Sequence, residues 1–279
     1  MRPIRLLALF LHVIFAWSVP LCAQWIHYPT AGVPRTAAGL PNLSASAPRT
    51  ADGKPDFSGM WIGKTNPLPC PKMMQDDHGE CIEKDALTPQ TINIGSGLPG
   101  GLPYQPWTAD LMKKRKQDEW KDDPHARCLP PNFPRAYTLP HIQKFVQVPG
   151  LILILDEFNA SYRQIFTDGR PLPVDPQPSW NGYSSGKWEG DTLVVKSIGF
   201  RNDLWLDNIG DPLTEAATVT ERFRRPDYGN LEIEVTVDDP KAYTKPWTVK
   251  LHQSIVLDTE LLDEICLENE KSVQHLPGK

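Results

Sequence analysis

The sequence predicts a mainly β protein whose strands form one antiparallel barrel or sandwich. From residue 142 onward, short strand-like runs alternate with turn residues such as Asp168-Gly169 and Gly190-Asp191, which is typical of these folds. Residues 231–238 alternate between apolar and polar side chains, so this strand has one dry and one hydrated face. The hydrated face points either outward to solvent or into a polar barrel cavity, and the pattern leaves both open.

The individual elements are predicted, in chain order, from the turn, capping and helix-breaking residues that bound them. The folded core begins near Trp61, and one helix is expected over residues 108–121, with Pro106 ahead of it, Thr108 as its cap and Pro124 beyond its end. The later strands are predicted at residues 145–158, 162–167, 180–187, 192–200, 217–224, 231–238, 247–257 and 261–268.

Residues 1–23 have the three parts of a secretory signal peptide. Two arginines precede an apolar run at residues 6–21, and Cys22-Ala23 offers a small-residue cleavage site. The alternatives are a membrane anchor, for which the apolar run is shorter than the roughly 20 residues that a span needs, and a lipid anchor on Cys22. We expect a periplasmic or secreted protein with no integral membrane segment after cleavage.

Residues 24–56 are rich in proline and contain an internal repeat. The Pro-Arg-Thr-Ala sequence at residues 34–37 returns at residues 48–51, and a glycine follows each copy. We interpret this segment as an extended arm on the surface of the domain, with a disordered linker as the alternative. The β-barrel domain is then expected over residues 57–279, with an insertion at about 64–141.

Net charge and cysteine content limit the partners and the compartment. The formal net charge is -5 and no basic block occurs, so neither nucleic acid nor an anionic membrane surface is an expected partner. The mature chain keeps four cysteines, and an even number in an exported protein favours disulfides. Four cysteines can form two disulfides in three ways, and we expect the combination of Cys70–Cys81 with Cys128–Cys266. A zinc site that uses His78 is the alternative to the first pair.

Aromatic residues and one carboxylate are the candidate site. Trp180, Tyr183 and Trp205 lie close together in sequence and can line a pocket for an apolar or ring-shaped ligand, although they also fit an ordinary barrel core. Glu221 is on the apolar face of a predicted strand, where a carboxylate must be paired or its pKa rises. A raised pKa suits a general acid or base; the alternative is a structural ion pair with an arginine such as Arg163.

Asp207 is the second candidate carboxylate, in an acidic loop at residues 203–211. Calcium favours such oxygen-rich loops, but the spacing matches no EF-hand, and a solvated loop is the simpler interpretation. The sequence has no phosphate loop, dinucleotide fingerprint or nucleophile elbow, and its histidines are scattered. We therefore predict no cofactor and no metal.

The segment Ser58-Gly59-Met60-Trp61, followed by a series of antiparallel strands, resembles the entry of lipocalin-like (calycin) barrels. In those barrels the tryptophan closes one end, often beneath a basic residue from a late strand. The resemblance implies a lipocalin-like barrel with a loop-and-helix insertion that most such barrels lack.

Nearly the whole mature chain is also similar to a family of exported bacterial proteins without an assigned activity. Members commonly carry Gly-His-Pro-His where this chain has Gly210-Asp211-Pro212-Leu213, so any role of those histidines is missing here. The similarity implies export and a single fold, and it adds no mechanism. The segments that carry it are residues 48–61, 128–131, 162–170, 188–193 and 239–247.

These features together predict an exported protein that binds a small, partly apolar ligand in a β-barrel pocket. The first alternative is a hydrolase, lyase or isomerase on the same barrel, using Glu221 or Asp207 with Arg163. The second alternative is a structural envelope protein whose arm docks on a partner. A cavity that holds Glu221 beside an arginine and two aromatic side chains would favour the enzyme.

Overall fold

The computed structural model describes residues 28–64 and 88–268. The predicted signal peptide and the predicted Cys70–Cys81 pair lie outside these ranges. The strands are β1 (Gly59–Gly63), β2 (Gln143–Val148), β3 (Leu151–Asp156), β4 (Tyr162–Phe166), β5 (Tyr183–Glu189), β6 (Thr192–Ile198), β7 (Leu204–Trp205), β8 (Pro212–Leu213), β9 (Thr218–Arg224), β10 (Asn230–Asp238) and β11 (Trp247–Val256). The α-helices are α1 (Pro89–Ile92) and α2 (Pro106–Gln117), and short 3-10 helices span His125–Arg127 and Arg135–Thr138.

Nine of these strands close into a barrel, which confirms the predicted fold class. The order around the barrel is β1-β2-β3-β4-β5-β6-β9-β10-β11, and β11 pairs with β1 to complete it, while β7 and β8 form a separate hairpin. The barrel is not antiparallel throughout, because β4 and β5 run parallel and pair only at Ile165–Ser184 and Phe166–Ser185. The connection over residues 167–182 returns the chain to the end from which β4 started, and such a crossover makes neighbouring strands parallel.

Two of the predicted strands differ from the structure. The run at 145–158 is broken by a turn at Pro149 and Gly150, whose φ of +79° suits glycine, so it forms the hairpin of β2 and β3. The expected strand at 261–268 forms only a single bridge, between Phe158 and Glu264. Since β11 already pairs with β10 and β1, it has no free edge for a further strand.

Helix α2 begins two residues earlier than the sequence predicts. Pro106 is its first residue, and Thr108 is not the cap but a buried residue whose Oγ1 donates a hydrogen bond to the Ala242 carbonyl over 2.7 Å. The helix ends at Gln117, before Glu119 and Trp120 take positive φ values of 52° and 53°. Across residues 28–64 and 88–268, none of the helices combines the length and the hydrophobicity that a membrane span requires.

Side chains fill the interior of the barrel. The four apolar residues of β10 at 231–237 are fully buried, so its polar face points outward. The segment at 132–139, from the predicted insertion, packs against inward-facing side chains of β9 and β11. The Tyr137 ring meets the Phe223 ring edge-on with centroids 6.1 Å apart, and the Gln253 side chain donates to the Tyr137 carbonyl over 2.6 Å.

Trp61, in the middle of β1, lies beneath Arg225. The Trp61 indole is fully buried and donates to the Phe57 carbonyl over 2.9 Å. The guanidinium of Arg225, which follows β9, lies over the Trp61 ring at 4.8 Å and donates to the Tyr228 carbonyl over 2.6 Å. A basic residue over this tryptophan is the contact expected from the lipocalin resemblance, and the assignment to lipocalin-like barrels stays a prediction.

The repeated arm sequence forms the same turn twice. Arg35 Nη1 donates to the Gly39 carbonyl over 2.9 Å, and Arg49 Nη1 donates to the Gly53 carbonyl over 2.7 Å. The second turn is tied to the barrel by an ion pair of 2.7 Å between Arg49 and Asp191, in the β5–β6 turn. Over the described part, the arm therefore follows the barrel surface.

A disulfide joins Cys128 to Cys266, as predicted, across a sequence separation of 138 residues. It ties the insertion to the segment that follows β11. The side chain of Asn159 supports the same junction, because its Nδ2 donates to the Cys128 carbonyl over 2.8 Å and its Oδ1 accepts from the Cys266 amide over 3.1 Å.

Candidate functional site

Glu221 and Arg163 meet inside the barrel. They are inward-facing residues of β9 and β4, and only 0% and 3% of their surfaces are exposed. Nη1 of Arg163 donates to Oε1 of Glu221 over 2.9 Å, and Nη2 donates to Oε2. Both carboxylate oxygens are therefore engaged, which is the geometry of the structural ion pair considered for Glu221.

Three hydroxyl groups complete this cluster, which we call the inner network. The Tyr137 hydroxyl lies 2.7 Å from Nη1 of Arg163, the Ser197 hydroxyl 2.9 Å from Nη2, and the Ser184 hydroxyl 3.2 Å from Nε. Burial alone would lower the pKa of Arg163, but the adjacent Glu221 charge raises it above the usual value. Burial raises the pKa of Tyr137, so its phenol stays neutral. Sequence reasoning missed these hydroxyls because serine and tyrosine carry no pairing signal of their own.

A surface cleft of about 330 Å³ opens between β4 and β5, beside the inner network. It exists because these strands share only two residue pairs before they separate. Asn181 bridges the gap by donating from Nδ2 to the Tyr162 carbonyl over 3.0 Å. The cleft is lined by Tyr162, Arg163, Gln164, Phe166, Ser179, Trp180, Asn181, Gly182, Tyr183 and Ser184.

The aromatic residues of this cleft are flanked by arginines. Phe166 stacks on Tyr183 with ring centroids 5.4 Å apart. The Arg170 guanidinium lies 3.9 Å from the Phe166 ring, and that of Arg201 lies 4.7 Å from the Trp180 ring. Each arginine also pairs with an aspartate two positions away in sequence. The margins therefore carry paired charges, and Tyr183 and Arg170 both cover part of the Phe166 ring.

Two of the predicted site residues lie elsewhere. Trp205 is buried under the Arg115 guanidinium, 4.3 Å from its ring, and its carbonyl accepts from Asn132 over 2.7 Å. Asp207 does not contact Arg163. The structure thus brings Trp180, Tyr183 and Arg163 to one cleft with Glu221 behind them, and it separates Trp205 and Asp207 from that cleft.

Asp207 belongs to a buried carboxyl pair with Asp211 and is not part of a solvated loop. Oδ2 of Asp207 accepts from the Ile94 amide over 2.7 Å, while Oδ1 accepts from the Gly210 and Asp211 amides over 2.8 and 2.9 Å. The Tyr104 hydroxyl donates to Asp211 Oδ1 over 2.5 Å. Burial, together with the Asp207 charge, raises the pKa of Asp211 to about 9, so Asp211 is neutral at physiological pH.

We expect Asp211→Asn to raise the free energy of unfolding at pH 8 by about 1 kcal/mol or more. The folded-state pKa of about 9 lies above the ordinary value of 3.8, so the folded chain holds a proton that the unfolded chain releases. At pH values well below the pKa of Asp211 in the unfolded chain, Asp211 therefore does not lower the free energy of unfolding. As the pH rises toward its pKa in the folded chain, Asp211 lowers the free energy of unfolding by an increasing amount. Urea denaturation of both proteins at acidic pH and at pH 8 measures the difference.

Asp207→Asn is the matched control for this measurement. It weakens the acceptor of three backbone N–H groups, so it should lower stability. Because it also removes the Asp207 charge that helps raise the Asp211 pKa, the loss should be smaller at pH 8 than at acidic pH, whereas Asp211→Asn should raise stability at pH 8. An effect of Asp211→Asn that did not vary with pH would contradict a protonated Asp211.

A group of potential metal ligands lies apart from both carboxyl sites. One ligand atom each from His141, Glu157 and Glu264 can be chosen so that all three lie within 4.8 Å of one another. None of these residues lines the β4–β5 cleft.

No family model, curated protein or solved structure matches the chain. The similarity to exported bacterial proteins therefore stays a prediction, and any function must be inferred from the geometry of the sites.

Proposed function

We propose that the protein binds a small, partly apolar, ring-bearing ligand in the β4–β5 cleft, and that it does so as a periplasmic or secreted protein. The observation that supports this proposal is the set of aromatic faces between two separating strands. A volume of about 330 Å³ matches the lower range of small-molecule sites, about 300–1,000 Å³.

The cleft in the barrel wall is a better ligand site than the barrel interior. Trp61, Tyr137, Phe145 and Phe223 inside the barrel are at most 2% exposed. The interior therefore has its own apolar filling, supplied partly by the insertion. A ligand site in the wall also keeps the inner network intact beneath the ligand.

The polar groups of the cleft favour a ligand with hydroxyl substituents. The Tyr162 side chain is exposed, and Gln164 and Asn181 place amide groups beside the aromatic faces. Arg170 and Arg201 lie at the margin, but each is paired with an aspartate, so they add no net charge. Phenols, including phenolic acids, and aryl glycosides combine a flat ring with hydroxyl groups, and they are the ligand class that we propose.

Binding is favoured over the enzyme alternative by the composition of the cleft. The described residues that line it include no aspartate, glutamate or histidine. Glu221 is the carboxylate that was considered as the general acid or base, and both of its oxygens accept hydrogen bonds from Arg163. A general acid or base needs a free proton-transfer position within hydrogen-bond reach of the substrate, and the Glu221 carboxylate offers none.

Trp180→Ala should weaken the binding of 4-hydroxybenzoate or phenyl β-glucoside about tenfold. The variant removes an aromatic face that is worth about 0.5–1.5 kcal/mol beyond its burial, and about 1.4 kcal/mol corresponds to a factor of ten. Isothermal titration calorimetry of the mature protein measures both dissociation constants.

Trp107→Phe is the control, since Trp107 is 44% exposed on helix α2 and does not line the cleft. This variant should bind the probes as the wild-type protein does. Equal losses in the two variants, or no binding of any ring-bearing probe to the wild-type protein, would overturn the proposal.

A further inference from the structure

His141, Glu157 and Glu264 converge near the end of the β2–β3 hairpin that lies opposite its turn. Nδ1 of His141 is 3.3 Å from Oε2 of Glu264 and 4.0 Å from Oε1 of Glu157. The side chains of His141 and Glu157 are 12% and 16% exposed, whereas that of Glu264 is 54% exposed. The group is thus anchored in the protein on one side and open to solvent on the other. We call it the three-ligand cluster.

Main-chain hydrogen bonds hold the three segments of this cluster together. The Glu264 amide donates to the Glu157 carbonyl over 2.7 Å, and the Asn159 amide donates to the Glu264 carbonyl over 2.6 Å. The Glu157 amide donates to the carbonyl of Ile142, next to His141, over 3.1 Å. The backbone positions of all three ligands are therefore defined even though they are distant in sequence.

The disulfide fixes the most exposed member of the cluster. Glu264 lies two residues before Cys266, whose bond to Cys128 attaches this segment to the insertion. Besides that bond, the segment after β11 is held by the bridge to Phe158, the hydrogen bonds around Asn159 and, farther from Glu264, the ion pair between Lys144 and Glu260. The disulfide therefore makes Glu264 a preorganised ligand and not part of a loose end of the chain.

Negative charge exceeds positive charge around the cluster. Asp156, next to Glu157 in sequence, is a third carboxylate near the cluster and is buried. Among the described residues, neither Glu157 nor Glu264 forms an ion pair with lysine or arginine. A bound cation would compensate this excess.

We propose that His141, Glu157 and Glu264 bind one divalent transition-metal ion, with zinc as the best match. An imidazole nitrogen with carboxylate oxygens is a zinc ligand set, and three protein ligands leave a position open for water or an external ligand. Zinc binds such atoms at about 2.0–2.2 Å, so the cluster must contract slightly, and the half-exposed Glu264 side chain can move to do so. Calcium is a poorer match because it takes six to eight oxygen ligands.

Zinc binding by the mature, disulfide-bonded chain tests this proposal. Zinc alone is titrated in competition with a chelating dye, and one ion per chain should bind. His141→Ala and Glu264→Gln should each weaken zinc binding at least about tenfold, since even residues that only orient a metal ligand contribute about 10–100-fold. Asp263→Asn, an exposed neighbour outside the cluster, should leave the affinity unchanged.

Circular dichroism checks that each variant is folded. If His141→Ala fails to fold, Glu264→Gln decides, because its half-exposed side chain is not needed for packing. The proposal is overturned if the wild-type protein binds no zinc, or if Glu264→Gln and Asp263→Asn bind it equally, as they would if zinc sat on cysteines or histidines elsewhere in the chain.

Discussion

Replacing Glu221 with glutamine should lower the free energy of unfolding by about 3–5 kcal/mol, the usual cost of removing one partner from a buried ion pair. Arg163 would keep its charge and its burial, with only the hydroxyls of the inner network and a neutral amide as acceptors. Denaturation of the wild-type protein and the variant in guanidinium chloride measures the loss, provided that the free energy of unfolding depends on denaturant concentration with the same slope in both.

Glu232→Gln is the control for this prediction. Glu232 lies on β10, where it pairs with Arg224 at 2.7 Å, but the two side chains are 35% and 58% exposed. Such an exposed pair contributes at most about 1 kcal/mol. Replacing Arg163 with methionine in the Glu221→Gln background should recover part of the loss, because no buried charge then remains. A Glu221→Gln variant no less stable than Glu232→Gln would show that the inner network does not hold the barrel together.

The second large effect is expected at the disulfide. Replacing both Cys128 and Cys266 with serine should lower the free energy of unfolding by about 5 kcal/mol, since the bond closes a loop spanning 138 residues of sequence and long loops gain most from closure. Denaturation of the oxidised wild-type protein and of the double variant measures this cost.

The same variant separates the two predicted disulfides. Dithiothreitol should still destabilise it if Cys70 and Cys81 form a bond, and should leave it unchanged if they do not. A loss below about 1 kcal/mol on removal of Cys128–Cys266 would contradict the closure argument.

Much of the barrel could be predicted from residue alternation. On β10, the alternating pattern at residues 231–238 identified the buried face correctly. The pairing of Glu221 was also predictable, because a carboxylate between Val219 and Phe223 must find a partner. The parallel pairing of β4 with β5 could not be predicted. The proline-rich connection at 167–182 indicates an irregular segment, but it does not specify at which end of β4 the next strand begins.

The candidate site was only partly predictable, because nearness in sequence is a poor guide to nearness in space. Trp180 and Tyr183 precede β6, while Trp205 and Asp207 follow it, after the chain has left the barrel to form the β7–β8 hairpin. Tyr137 reaches the inner network from the insertion, and its sequence neighbourhood resembles an ordinary loop. The burial of the Asp207–Asp211 pair was missed because an acidic loop is usually hydrated, and the groups that cover it here, such as Ile94 and Tyr104, are distant in sequence.

The two arm turns are local units that the barrel holds in place. Each turn closes locally, from an arginine onto the carbonyl of the glycine four residues later, and only the second one is fastened to Asp191. The first unit is attached at both ends as well, because the Thr30 amide donates to Asp258 over 2.9 Å and the Gly229 amide donates to the Leu43 carbonyl over 2.8 Å. A duplication or deletion of one turn would therefore keep the hydrogen bonds inside the other turn, but it would shift the residues that reach these attachment points on the barrel.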